Sequence, residues 1–424
     1  MLTWCEKLRK LPEQIHNLRS LQILKLAFCA RLQSLPKSII GLVNLQELDL
    51  GDCHGLVELP KDFGNLRKLT KVNMIRCGSL TRMPSGLEHM HNLQTLSGYS
   101  ISTISSIGDV ISELQPLKVL EEFDLWNLQV VSKPEDASTP PILLQDILPK
   151  LKCLALHWKW YNIDDAEIAS DVISLQVLEG LQPNIYLSKL EITSYFGKEF
   201  PRWIKNMILY LYNLKEIRLV NLRRCERLPP LGNLPYIRII EISSMDSITV
   251  VDETFYTRDT STFISLDKLI FSEMPRLEKW AADTQNKYDV GRITELTLIQ
   301  CPKLRTWESN PKVTKLNVWL NNGMLWHCQS VGWQRLISGI FELTIVGCQE
   351  LRHLPQVLQS NGRVRQLTII RCNKLISLPN WLVEIRSLKS LLISGCTELS
   401  YIPLQLKTRP DLLLQHRGCP KLRF

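Results

Sequence analysis

LQELDLGDCHGLVELPKDFGNLRKLTKVNMIRCGSLTRMP, residues 45–84, carries one pattern twice. In each half, apolar residues spaced as L-x-x-L-x-L lead three positions later to a cysteine and then to an apolar–Pro pair. Cys77 follows Cys53 at the same interval at which Pro84 follows Pro60. A fixed period of this kind predicts a structural unit that is repeated along the chain.

The same period recurs toward both ends of the chain. Cys29 precedes Cys53 by the same interval, and Cys348, Cys372 and Cys396 resume the spacing after a less regular middle. The chain has 424 residues and is 45% hydrophobic, so it can bury a large core but exceeds the usual size of one compact domain. Because the spacing is regular, we interpret the chain as one elongated array of coils.

The repeated unit, L-x-x-L-x-L-x-x-C-x-x-L-x-x-L-P-x-x-I-x-x-L-x-x, resembles the leucine-rich repeat, in which each coil is one short strand and a returning segment. Alternate strand residues point to opposite faces, so the strand leucines face inward. Leu56, Leu59, Phe63 and Leu66 are expected to fill the core from the convex side. We therefore predict an α/β repeat fold, a leucine-rich-repeat solenoid (horseshoe) with one long parallel concave sheet and an irregular convex side.

The spacing divides the chain into three parts. Residues 1–96 are regular 24-residue repeats that lack the usual N-terminal cap, residues 97–340 are irregular repeats with loop insertions, and residues 341–424 are regular repeats with the C-terminal end. The missing cap leads us to expect the C-terminal part of a longer protein or a truncated gene product. The insertions, rich in Ser, Thr, Asp, Pro or Asn, are predicted to form loops near residues 97–117, 129–147, 159–185, 247–264 and 281–291.

The repeated cysteines are interpreted as structural thiols. In the repeat this position follows the strand at a turn, where a small buried side chain packs against the neighbouring coil. No C-x-x-C pair occurs, and His16, His54 and His353 follow no metal-ligand spacing. His327 and Cys328 are a tempting catalytic pair, but adjacent residues on an extended segment point to opposite sides. We therefore expect no metal site, no catalytic residues and no enzymatic activity.

The compartment and the charge distribution bear on the partners. Twelve cysteines used in this way suit a reducing compartment, and no run approaches the length of a membrane span, so we expect a cytoplasmic or nucleo-cytoplasmic protein. The net charge is +5 over residues 1–100, −8 over 101–200, +5 over 201–340 and +7 over 341–424. Separate charged faces favour protein partners, whereas a nucleic-acid-binding protein would present a uniform basic stripe.

Side chains between the inward leucines are predicted to face the concave surface and meet a partner. The candidates at these strand positions are Lys25, Asp49, Asn73, Glu191, Arg218, Thr344 and Thr368. A second candidate is the aromatic and basic run His157, Trp158, Lys159 and Trp160, whose alternative is packing of the Trp rings into an enlarged coil. Arg365 and Arg371 flank the strand around Leu367 and are predicted to meet carboxylates, with simple solvation as the alternative for Arg371.

Five motifs carry a further resemblance. They are NLQTLSGYS (92–100), LEGLQPN (178–184), LEITSYFGKEFPRWI (190–204), RCERLPPLGNLP (224–235) and MPRLEKW (274–280). In this order they are similar to the leucine-rich-repeat region of plant coiled-coil nucleotide-binding leucine-rich-repeat (NLR) disease resistance proteins. The resemblance implies a non-catalytic module that senses a pathogen effector or a guarded host protein and keeps an adjoining nucleotide-binding module in its ADP-bound resting state.

The chain also departs from that family. It contains no G-x-x-x-x-G-K-[ST] phosphate-binding loop, so the ADP/ATP site of the family lies outside this chain and no cofactor is expected. The parent nucleotide-binding module, if present, would be a further partner. Two alternatives stay open: a free-standing intracellular leucine-rich-repeat signalling scaffold, and a non-functional truncated receptor remnant.

Overall fold

A computed structural model describes most of the chain, in two compact units, Met1–Leu214 and Lys215–Phe424. The described residues are 2–80, 83, 86–101, 107–131, 144–158, 171–256, 263–281, 292–308, 312–321 and 330–422.

Seven parallel strands follow one another along the concave side of the first unit. They are β1 (Ile23–Lys25), β2 (Glu47–Asp49), β3 (Lys71–Asn73), β4 (Thr95–Ser100), β5 (Glu122–Trp126), β6 (Cys153–His157) and β7 (Lys189–Thr193). Ile23 is in register with Glu47, and Glu47 with Lys71, because these coils have the same length. The predicted parallel sheet of stacked strands is therefore confirmed.

Prolines direct the return segments of the regular coils. Pro12 and Pro36 adopt the extended conformation (φ −69° and −66°) immediately before short 3-10 turns, which suits a residue whose ring fixes φ and which has no N–H to donate. Ile15 and Ile39 point from these turns into the core. The 3-10 turns of the first unit are Glu13–Asn17, Lys37–Gly41, Phe63–Asn65, Leu87–His89 and Leu128–Val130.

Helices occur where the sequence predicted loop insertions. The helices of the first unit are α1 (Ile107–Leu114), α2 (Leu144–Ile147), α3 (Asp171–Gly180), α4 (Arg202–Lys205) and α5 (Met207–Tyr210). The loop interpretation is wrong for α1, α2 and α3, which lie inside three of the predicted insertions. In α3, Ile173 and Val177 are one helical turn apart and both buried, so this segment forms a helix by covering the core with one face.

The second unit has a nine-stranded parallel ladder, β8-β9-β11-β13-β15-β16-β17-β18-β19, and a separate small sheet, β10-β12-β14. The ladder strands are β8 (Glu216–Val220), β9 (Ile239–Ser243), β11 (Lys268–Ser272), β13 (Arg292–Ile299), β15 (Lys312–Trp319), β16 (Glu342–Val346), β17 (Gln366–Ile370), β18 (Ser390–Ser394) and β19 (Leu413–Arg417). The small sheet consists of β10 (Val250–Val251), β12 (Lys279–Trp280) and β14 (Thr306–Trp307).

The return segments of the second unit carry a buried aromatic stack. Two helices, α6 (Val331–Gly339) and α7 (Leu404–Thr408), accompany the 3-10 turns Leu231–Asn233, Glu253–Phe255, Gln356–Ser360 and Asn380–Glu384. The ring of Trp307 lies 4.3 Å from that of Trp280 and 6.0 Å from that of Trp333, measured between centroids. All three rings are at most 1% exposed, so they form the core beneath the small sheet and α6.

In the regular coils a cysteine lies in the turn after the strand. Cys53 is buried and Cys77 is half-buried, and their sulfurs donate to main-chain oxygens of the preceding coil at 3.2 Å, those of Leu26 and Leu50. The cysteines of the described residues carry free thiols, and Cys53 and Cys77 bond to the preceding coil, as expected of structural thiols. In the coil after β15, Asn321 occupies the same position.

The residues before Cys29, Cys53 and Cys77 have a left-handed backbone. The φ angles are 62° at Phe28, 59° at Asp52 and 60° at Arg76. Glycine takes the same position in later coils, as at Gly347 (φ 64°). The turn into each coil requires this conformation, and the repeat imposes it on side chains that seldom adopt it.

Candidate partner-binding surface

Outward side chains of β1, β2 and β3 bond to one another along the concave face. The Lys25 ammonium lies 3.0 Å from the Glu47 carboxylate, and the Asn73 amide donates 2.9 Å to Asp49. Lys25, Asp49 and Asn73 are all half-buried on this face, as their strand positions predicted. Glu191 holds the equivalent position in β7 and is also half-buried.

The two described residues of the His157 to Trp160 run, His157 and Trp158, are both buried. The Trp158 side chain is 3% exposed and packs edge-on against Tyr195, with ring centroids 5.2 Å apart, so the prediction that Trp158 meets a partner is wrong. The reason is strand alternation: His157 continues the outward row of β6, and the next residue must point inward. Lys159 and Trp160 lie outside the described residues.

His157 faces the concave side but is itself enclosed, being 6% exposed. Its imidazole stacks on Trp126, with ring centroids 4.2 Å apart, and its Nε2 lies 2.9 Å from the Asp124 carboxylate. His157 therefore links two strands, which contradicts the prediction that it is displayed to a partner. Its contacts with Asp124 and Trp126 connect β6 to β5 on this face.

In the second unit the predicted positions fall on the concave ladder. The Arg218 guanidinium lies 2.9 Å from Glu241 and 3.5 Å from Glu216, so its charge is already balanced by neighbouring carboxylates. Thr344 and Thr368 are in register on β16 and β17. Thr344 is half-buried, whereas Thr368 is 6% exposed and lies in the floor of the face.

Arg365 and Arg371 flank β17, as predicted, but do not come together. Six residues of extended chain separate them by about 20 Å. The Arg365 guanidinium carbon lies 5.4 Å from the centroid of the Phe341 ring, a cation–π contact at the start of the strand. Arg371 is exposed in the left-handed turn after the strand (φ 52°), and its main-chain oxygen accepts from Gln349 at 3.1 Å.

One apolar feature of this face is absent from the sequence predictions. Ile299, Trp319, Val346 and Ile370 are the last outward residues of β13, β15, β16 and β17, and each is in register with the next. Trp319 is 39% exposed, and the other three are half-buried. We call these four residues the apolar strip. Its sequence signal is an apolar residue immediately after the last inward residue of each of four strands.

The row continues beyond the apolar strip into polar residues. Ile370 is in register with Ser394, and Ser394 with Arg417. The exposed Arg417 donates from Nε to the Ser394 hydroxyl at 3.1 Å. The concave row therefore changes from apolar to cationic within two strands.

The buried thiols of the regular coils are poorly suited to act as nucleophiles. Burial raises the pKa of Cys53 to about 11 and that of Cys77 to about 12, so both are thiols rather than nucleophilic thiolates near neutral pH. Within the described ranges, no three His, Cys, Asp or Glu side chains are grouped closely enough to hold a metal ion. Among the helices of the described residues, none combines the length and hydropathy needed to cross a membrane.

The chain is similar to a known leucine-rich-repeat family and to plant disease resistance proteins. Residues 111–245 match the family described as R13L1/DRL21 LRRs. Disease resistance protein RGA2 of Solanum bulbocastanum is 29% identical over 261 residues, which are 60% of this chain and 26% of that protein. Disease resistance RPP13-like protein 1 of Arabidopsis thaliana is 29% identical over 137 residues, 30% of this chain and 13% of that protein. The chain thus spans about a quarter or less of the length of these two relatives.

Among solved structures, a leucine-rich-repeat protein of Leptospira interrogans aligns over 96% of this chain and 93% of its own, at 18% identity and a TM-score of 0.38. The family match and the plant relatives confirm the resemblance seen in the five motifs. The chain has the leucine-rich-repeat fold and is similar to parts of plant disease resistance proteins.

Proposed function

We propose that this leucine-rich-repeat region is the non-catalytic protein-recognition and autoinhibition module of an intracellular plant immune receptor. The observation that carries the proposal is the match of residues 111–245 to leucine-rich repeats of the R13L1/DRL21 type, in a chain whose relatives are disease resistance proteins. Its partner is a pathogen effector or a guarded host protein. Its location is the cytoplasm, alone or together with the nucleus.

The concave surface supports recognition of a protein. In the second unit its outward side chains include the apolar strip and the charged Arg417, and a surface that presents apolar and charged groups can select a partner by both shape and charge. Residues 341–424 hold 12 Lys and Arg against 5 Asp and Glu, so this part favours an acidic partner. Arg365 and Arg371 are exposed there and belong to the proposed ligand face.

Autoinhibition is assigned to the N-terminal coils. In the proposed arrangement they contact the nucleotide-binding module, which holds ADP or ATP outside this chain, while the C-terminal coils face the ligand. Ligand binding would then favour release of the module, since an effector shifts an equilibrium only through different affinities for its two states.

A segment exchange between receptors tests the proposal. Residues 341–424 are grafted into a related receptor that recognises a different effector, and both effectors are co-expressed with the chimera in leaf tissue. We expect cell death to follow the effector of the donor, and Arg365→Glu with Arg371→Glu to reduce it. Arg386→Glu, an exposed charge reversal in the return segment before β18, is the matched control.

Two results would contradict the assignment. One is recognition that follows a different segment of the receptor. The other is recognition that survives both reversals at the ligand face with unchanged dose dependence.

A further inference from the structure

We infer that the apolar strip, with Arg417, binds an acidic segment of the recognised protein: a row of apolar side chains followed by a carboxylate. This inference rests on the proposed function, because it names the chemistry of the ligand for that same face. The apolar strip consists of Ile299, Trp319, Val346 and Ile370 on adjacent strands.

The dimensions of the apolar strip fit a short segment of protein. Strands in a sheet are about 4.8 Å apart, so three steps give a strip about 14 Å long. In an extended chain, side chains at positions i and i+2 are about 7 Å apart. Three apolar side chains at i, i+2 and i+4 therefore span about 14 Å, the length of the apolar strip. Trp319 is the expected anchor. Its large aromatic side chain is 39% exposed, so a partner that covers it removes much apolar surface from water.

The floor beside the apolar strip allows close approach. The adjoining row consists of short polar side chains, of which Thr297 and Asn317 are 4% exposed and Thr368 is 6% exposed. Asn317 donates to the Thr297 hydroxyl at 3.0 Å and to Glu295 at 2.7 Å, so this part of the floor is satisfied internally. The Thr368 hydroxyl, beside Ile370, is buried without a hydrogen-bond partner among the described residues.

Charge decides the chemistry of the occupant. The row continues from Ile370 through Ser394 to Arg417, two strands or about 10 Å further on. Arg417 donates a 3.1 Å bond to Ser394 from its Nε, and the residue is exposed. Arg371 lies beside this path, since a Cβ on Gly395 would meet the Arg371 Cγ at 3.4 Å. Two exposed guanidinium groups at one end of an apolar row complement a carboxylate.

Binding of peptides to the purified full chain tests the inference. A positional-scanning library of synthetic peptides, each about 12 residues long so that it exceeds the apolar strip at both ends, is screened, and dissociation constants of selected peptides are measured by fluorescence anisotropy. We expect selected peptides to combine alternating apolar residues with an Asp or Glu at one end. We expect Trp319→Ala to weaken binding by about tenfold or more and Arg417→Glu by about fivefold.

A charge exchange distinguishes loss of the specific contact with Arg417 from general damage to the folded protein. Replacing the peptide carboxylate by Lys should weaken binding to the unaltered chain and restore binding to Arg417→Glu. Leu404→Ala, which removes a 67% exposed side chain from α7, is the matched control and should bind as the unaltered chain does. Ile370→Ser replaces Trp319→Ala if circular dichroism shows that the tryptophan variant does not fold.

Several outcomes overturn the inference. They are selected peptides without an acidic preference, binding by Trp319→Ala and Arg417→Glu that equals binding by the unaltered chain, and failure of the charge exchange. A sedimentation experiment covers one other occupant: self-association that Trp319→Ala abolishes would show that a second copy covers the apolar strip. Failure of the peptide test leaves the segment exchange intact as a test of the receptor role, and failure of the exchange leaves peptide binding measurable.

Discussion

The thiol of Cys53 donates a 3.2 Å hydrogen bond to the main-chain oxygen of Leu26 in the preceding coil. Cys53 is fully buried, so its removal takes away one of the two donors to that oxygen, which also accepts from the Cys29 amide, and opens a small cavity. We expect Cys53→Ala to lower the free energy of unfolding by about 1–2 kcal/mol in urea titrations. Cys5→Ala, at the half-buried first position of the series, should cost about 0.5 kcal/mol or less. Equal losses for both variants would contradict this role.

Alkaline pH should weaken the protein through the same thiols. Burial raises the pKa of Cys53 to about 11 and that of Cys77 to about 12, from an ordinary value of about 9. Between pH 9 and pH 11 the unfolded chain loses these protons while the folded chain keeps them, so stability is complete below pH 9 and falls as pH rises. The urea midpoint should drop less over this interval in Cys53→Ala, Cys77→Ala than in the unaltered chain.

The reactivity of the thiols is a separate readout. At pH 8, iodoacetamide should alkylate Cys53 and Cys77 much faster in urea than in the folded protein, because the folded thiols are neutral and enclosed. Mass spectrometry of the tryptic peptides measures both rates. Fast labelling of the folded chain at these two positions would rule out the buried arrangement.

Asn361 is expected to be critical for the coil that it closes. It is fully buried, its amide donates to the main-chain oxygens of Ile337 and Ile340, and its oxygen accepts from the amides of Arg363 and Val364. Asn361→Ala leaves these groups unsatisfied and should cost about 3 kcal/mol in unfolding free energy. Asn92→Ala removes an exposed bond to Arg67 and should cost little, because water replaces it. Similar losses would contradict the argument.

The regular coils were predictable because a single period fixes them. That period places Leu48 beside Leu24 and Val72 in the sheet, and it also aligns the cysteines. The helices α1 to α3 were missed because nothing in the polar insertions repeats, so only burial of residues such as Ile173 reveals a covered face. The left-handed turn was missed because Phe28 carries no glycine signal.

The candidate site was only partly predictable for a related reason. Alternation places Thr344 and Thr368 on the concave face. Applied to the residue after β6, the same rule places Trp158 on the inward side, next to the outward His157. Trp319 was not predicted because the candidate positions were those between two inward leucines, whereas Trp319 follows the second inward residue of its strand. The enclosure of His157 depends on Trp126 of another strand, a contact that no local pattern contains.

Asp124 and His157 should stabilise the concave face of the first unit as a pair. The Asp124 carboxylate is 9% exposed and lies 2.9 Å from the His157 Nε2, so Asp124→Ala leaves the enclosed imidazole without its acidic neighbour. Loss of one member of a buried polar pair costs about 3 kcal/mol, and we expect a loss of that size in the free energy of unfolding. Asp49→Ala is the comparison variant: it removes a half-buried carboxylate of the same face that accepts from Asn73 and from the Gly51 amide but has no histidine partner. A double-mutant cycle with His157→Ala separates the pair from its surroundings: coupling of about 1 kcal/mol or more supports direct interaction, and additive losses would show that each side chain only fills space.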